Sequence, residues 1–88
     1  MSTVETLNYH HLRYFWRAAR CGGITEAARE LRVSAPAVSA QLKELQEFLG
    51  EPLFTRSGRK LVLTDMGRTV YEYADDIFSL GRELLDTV

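Results

Sequence analysis

At 88 residues, 45% hydrophobic and 26% charged, the chain has the make-up of one soluble globular domain, with no room for a separate ligand-binding module. Its net charge of −1 conceals an asymmetry: residues 1–60 carry nine Lys/Arg against six Asp/Glu, whereas residues 61–88 carry two against six, so a basic body precedes an acidic tail. No apolar run is long enough for a bilayer, the N-terminus lacks signal-peptide character, and the single Cys21 builds no disulfide framework, which together predict a cytoplasmic protein without a membrane partner.

The first helix is expected to start after Asn8, whose side chain can accept from an unpaired N–H of the first turn. Leu12, Phe15, Trp16 and Ala19 then recur at i, i+3, i+4 and i+7, one apolar stripe at helical period, so Phe15 and Trp16 read as core rather than as a stacking platform for bases. Gly22-Gly23 ends this helix. Cys21, His10 and His11 have no metal-ligand spacing, and neither a metal nor a cofactor is expected.

Thr25 is the expected cap of the second helix, with Glu26 favourably placed against the helix dipole and Ala27, Ala28 and Leu31 forming a short apolar face. A tight turn at Arg32-Val33 leads to Ser34, the expected cap of the third helix, whose first turn tolerates Pro36 because its missing N–H is no loss there. Val38, Leu42, Leu45 and Leu49 lie on one side and face the core; the other side presents Pro36, Ser39, Ala40, Lys43 and Glu47. Helices that read DNA contact bases chiefly through their N-terminal turns, which selects Ala35, Pro36, Ser39, Ala40 and Lys43, with the capping residues Thr25 and Ser34 beside them.

Gly50-Glu51-Pro52 stops the third helix. Leu53-Phe54 and Leu61-Val62-Leu63 predict two short strands around a Ser57-Gly58 turn, with the basic tip Arg56, Arg59 and Lys60. Beside a helix in the major groove, Arg56 is expected to reach phosphates and Arg59 to enter the narrow minor groove. The last helix, capped by Thr64, carries two adjacent apolar seams: Val70, Tyr73, Ile77, Leu80, Leu84 and Tyr71, Ala74, Phe78, Gly81, Leu85. A face this wide can dock on the domain and also pack against a second helix, so Val70, Tyr73, Ile77, Phe78, Leu80, Leu84 and Leu85 are the expected dimerisation residues.

The stretch from Ile24 to Gly67 resembles the N-terminal winged helix-turn-helix of LysR-type transcriptional regulators. The matching positions are Ala27-Ala28, Leu31, Val33-Ser34, Pro36-Ala37, Ser39, Gln41, Leu45, Leu49-Gly50, Leu53-Phe54, Arg56, Arg59, Leu63-Thr64 and Gly67. The flanks NYHHLRYFW and VYEYADDIFSLGRELLD are similar to the subgroup containing the regulator of sodium/proton antiporter genes. Two departures fall on the reading face: Ala35 stands where the family often has Gln, and Ala40 where it usually has Arg or Lys. Pro36, Ser39 and the wing arginines are therefore what the resemblance best carries over.

The resemblance implies a mainly helical fold: a winged helix-turn-helix of three helices plus a two-stranded wing over residues 1–63, followed by a long linker and dimerisation helix over 64–88. It implies sequence-specific binding of double-stranded operator DNA as a homodimer in a bacterial cytoplasm, at the nucleoid when bound. In that family the linker helix pairs antiparallel with its twin and leads to an effector-binding domain. No such domain follows Val88, so a DNA-binding piece of a longer regulator is expected. The rival readings are a winged-helix protein-interaction module and the similar DNA-binding domain of a molybdate-responsive regulator. An enzyme is not expected, because no nucleophile, carboxylate pair or phosphate loop stands in a recognisable context.

Overall fold

The computed structural model describes residues 5–58 and 60–88. Its elements run α1 (Tyr9–Cys21), α2 (Ile24–Leu31), α3 (Ala35–Leu49), β1 (Phe54–Ser57), β2 (Lys60–Leu63) and α4 (Asp65–Thr87). The two strands pair antiparallel, Phe54 opposite Leu63 and Ser57 opposite Lys60. This is the mainly helical, winged architecture expected.

Three helices begin where a side-chain oxygen satisfies an otherwise unpaired amide. Asn8 Oδ1 accepts from the His10 and His11 amides at 2.9 and 3.2 Å, Ser34 Oγ from Ala37 at 3.2 Å, and Thr64 Oγ1 from Gly67 at 2.9 Å. Helix α2 corrects the expectation that Thr25 is its cap. Gly22 takes the left-handed conformation at φ 80° and Gly23 is extended, so the chain reverses at once. The helix then starts at Ile24, with the Gly23 carbonyl accepting from Ala27 N at 3.2 Å, and Thr25 is left inside the first turn. Arg32, between α2 and α3, also sits at positive φ, 59°, a conformation that costs a residue with a Cβ about 1 kcal/mol.

Phe15, fully buried, packs its ring 5.3 Å from that of Phe54 and joins α1 to the wing. Around it close Leu12, Ala18, Ala27, Ala28, Val38, Leu42, Leu45, Leu53 and Ala74. Ala18, rather than the expected Ala19, is the sealed position on α1, and Trp16 is only half-buried. The Cys21 thiol donates to Glu30 Oε2 at 3.0 Å, and that bond, reinforced by burial, pushes the thiol pKa up and keeps it protonated. Arg17 pairs with the same carboxylate at 2.9 Å, tying α1 to α2.

Leu53 corrects the expected strand boundary. Its N–H is taken by the Gln46 side chain at 2.7 Å and its carbonyl by Thr64 N at 3.0 Å, so it stays outside the ladder and β1 starts at Phe54. At the other end Ser57 pairs with Lys60, so it stands in the ladder rather than in the expected turn. Thr64 Oγ1 donates to the Pro52 carbonyl at 2.8 Å, pinning α4 to the same crossing. Gly67 makes this approach possible: a Cβ there would stand 2.0 Å from the Leu53 carbonyl oxygen.

Two glycines of α4 therefore predict opposite outcomes. Gly67→Ala has to displace backbone and should lower stability by at least about 2 kcal/mol, a fall in Tm of roughly 10 °C. Gly81→Ala meets nothing within 4 Å and replaces a poor helix former, so it should raise stability by roughly 0.5–1 kcal/mol. Thermal unfolding of the two variants reads both signs; a tolerated Gly67→Ala would show that the crossing is looser than described.

Candidate nucleic-acid interface

The helix-turn-helix arises because the two alanines of α2 let it lie close against α3, leaving the opposite side of α3 open. On that side Pro36, Ser39, Ala40, Lys43 and Glu47 are all exposed. The first turns carry small side chains, which permit close apposition to another surface. Ala35 departs from the expected reading set: its methyl is half-buried and packs against the core. Ser34 is exposed, but its hydroxyl is engaged in capping.

The wing stands against this face. Ser39, Lys43, Gln46, Arg56, Thr55, Leu61 and Ile24 line an open cleft of about 250 Å³ between α3 and the sheet. A second cleft, about 350 Å³, runs from Gly23, Ile24 and Thr25 to Arg56 and Lys60. Arg56 borders both, so the expected residues Thr25, Ser39, Lys43, Arg56 and Lys60 form one continuous surface. Arg59 lies outside the described residues. Among those described, Lys43, Arg56 and Lys60 have no acidic partner, whereas Arg17, Arg20, Arg29 and Arg68 are paired with Glu30, Asp75, Glu26 and Asp65. Arg13, Arg32 and Arg82 form no ion pair among the described residues either, so what sets Lys43, Arg56 and Lys60 apart is their place on the clefts beside α3 and the wing.

Gln46 is the residue that the sequence reading missed. Its side-chain oxygen accepts from the amides of Leu53 at 2.7 Å and Phe54 at 3.3 Å, holding the root of the wing to the helix that bears Ser39 and Lys43. The spacing between reading face and wing is set here. No local signal marks it, because the partners are seven and eight residues away across a loop.

The expected dimerisation residues divide into two groups. Val70, Ile77 and Phe78 pack against the domain's own core, with the Phe78 ring 4.8 Å from that of Trp16. They are half-buried, so part of their apolar surface is used internally, in keeping with a face wide enough to dock on the domain. Tyr73, Leu80, Leu84 and Leu85 are 67, 64, 62 and 72% exposed. No helix among the described residues is long and apolar enough to cross a membrane.

Residues 9–68 match the family profile described as "Bacterial regulatory helix-turn-helix protein, lysR family". The chain is 40% identical over 86 residues to the transcriptional activator protein NhaR of Escherichia coli K12, covering 98% of this chain and 29% of that protein. It is 41% identical over 78 residues to the RuBisCO operon transcriptional regulator of Allochromatium vinosum, covering 89% and 26%. It thus spans less than a third of the length of these relatives. Among solved structures it superposes on the BenM DNA-binding domain in complex with catB site 1 DNA with a TM-score of 0.87 at 31% identity, covering 92% of this chain and 90% of that one.

Gln46→Ala should leave the amides of Leu53 and Phe54 without their acceptor, at roughly 1–3 kcal/mol. Hydrogen exchange should show those two amides losing protection by tenfold or more while the amides of α1 keep theirs. Unchanged protection at Leu53 would remove Gln46 from the role assigned to it.

Proposed function

The chain belongs to the lysR family of bacterial regulatory helix-turn-helix proteins, and from that premise we propose that it binds operator DNA sequence-specifically, as a symmetric dimer held through the exposed part of α4. One observation carries the reading: the small-residue face of α3 and the unpaired cations of the wing share one open surface. The likeness to a domain crystallised on DNA supports it. The relatives it matches are transcriptional regulators, not enzymes.

In this reading α3 enters the major groove by its N-terminal turns, where Pro36 and Ala40 leave room for close approach and Ser39 offers a hydroxyl to a base edge. Lys43 and Arg56 reach phosphates from either side of the cleft, fixing register without reading sequence, and Lys60 extends the clamp along the wing. Thr25, at the N-terminal turn of α2, meets the backbone on the far side of the wing. None of the α4 carboxylates lines either cleft, while Glu26, which lines the second, is paired with Arg29.

Duplexes selected from a random pool by the purified chain provide the test. Arg56→Ala should weaken selected and random DNA alike and lower the slope of log K against log salt by roughly one for each wing. Ser39→Arg, at an exposed site, should keep the fold yet abolish the preference for selected over random sequence. Binding that ignores salt, or that Ser39→Arg leaves unchanged, would point to a winged-helix module that docks on protein instead.

A further inference from the structure

Helix α4 lies on the body over its first half, with Ala74 sealed in the core and Val70 and Ile77 packed against it, and side-chain contacts fix the two ends of that stretch. At its start, Thr64 bonds to Pro52 and Gly67 abuts Leu53. Eleven residues on, about 16 Å along the axis, Trp16 makes the second anchor. Its indole N–H donates to Asp75 Oδ1 at 3.0 Å, and its ring lies 4.8 Å from that of Phe78. Arg17 and Arg20 stand over the same ring at 5.2 and 5.1 Å, and Arg20 also reaches Asp75 at 3.4 Å. Beyond Phe78 the apolar residues Leu80, Leu84 and Leu85 are exposed.

The far end of the packed stretch is where the direction of the exposed part of α4 is fixed. Resting on the proposal that α4 joins two copies, we propose that Trp16 is a positioning residue: its bond to Asp75 and its seat on Phe78 set the angle of α4, and thereby the half-site spacing that the dimer accepts. A slip of about 1 Å at this anchor is roughly doubled at the end of α4 and doubled again across a twofold pair, giving about 4 Å against a base-pair rise of about 3.4 Å. One hydrogen bond thus acts on the scale of one base pair.

The test uses duplexes carrying two selected half-sites at the preferred spacing and at one base pair more and less, with a single half-site measured at low salt. Asp75→Ala and Trp16→Phe should each keep single-site affinity while losing roughly three- to tenfold of the preference among spacings. Asp75→Asn retains an acceptor for the indole and gives up only a half-exposed ion pair, so it should behave as the parent chain does. Trp16→Phe keeps an aromatic ring against Phe78 and decides the matter if Asp75→Ala unfolds. Spacing preference retained in folded Trp16→Phe, or lost in equal proportion with single-site affinity, overturns the proposal. A parent chain that binds no duplex overturns the DNA-binding reading itself, a result distinct from either.

Discussion

The peptide of Leu53 is the constraint on which the other elements depend. Its N–H belongs to α3 through Gln46, its carbonyl to the entry of α4 through Thr64, and its side chain is sealed in the core. Reading helix, wing and linker helix therefore share one rigid crossing, with backbone approaching backbone where only Gly67 fits. Such a junction trades sheet hydrogen bonds for side-chain ones, which leaves the wing only four residues long on each side. A two-stranded ribbon of that size is marginal on its own. Here Phe54 against Phe15, and Gln46 beneath the first strand, supply what the ladder lacks.

Charge is sorted by the same architecture. Arg17 and Arg20, which a sequence count adds to the basic body, are committed to Glu30 and Asp75 and to the Trp16 ring. Their work is cohesive: they bind α1 to α2 and α1 to α4. Lys43, Arg56 and Lys60 form no ion pair among the described residues, although Glu26 lines the cleft beside Arg56 and Lys60 and Glu47 lies near Lys43. The basic surface is thus narrower than the composition suggests, and lies where small side chains allow close contact.

Local chemistry made much of this legible. Asn8, Ser34 and Thr64 cap as their side chains require, Gly22 and Gly50 end helices in the left-handed conformation, and the 3.6-residue spacing of Val38, Leu42 and Leu45 marks the buried side of α3. The failures have a common cause in tertiary competition. Thr25 has good capping chemistry, but two glycines just before it let the helix begin earlier. Leu53 has strand character, but Gln46 and Thr64 claim its backbone. Val70, Ile77 and Phe78 show a related limit, because periodicity reports an apolar face without saying which surface covers it; the domain's own core covers part of each. Trp16 shows the same limit: its helical spacing marks it as apolar, while its bond to Asp75 joins residues 59 positions apart.

A helix half embedded and half exposed sets the energetics of assembly. Full burial of a leucine contributes about 1.5–3 kcal/mol, and association itself costs an estimated 4–15 kcal/mol. In the proposed dimer Leu80, Leu84 and Leu85 from two copies would thus give a pairing of modest strength, and the three cations on the α3 and wing face would give modest affinity for one half-site. Joined as proposed, these weak contacts would reinforce one another, because engaging the first half-site raises the effective concentration of the second body at its own. That gain survives only while the bodies are held at a spacing the DNA can match. On the proposed pairing, the stiffness of α4 where it leaves the domain would then govern specificity as much as any residue on the exposed face of α3.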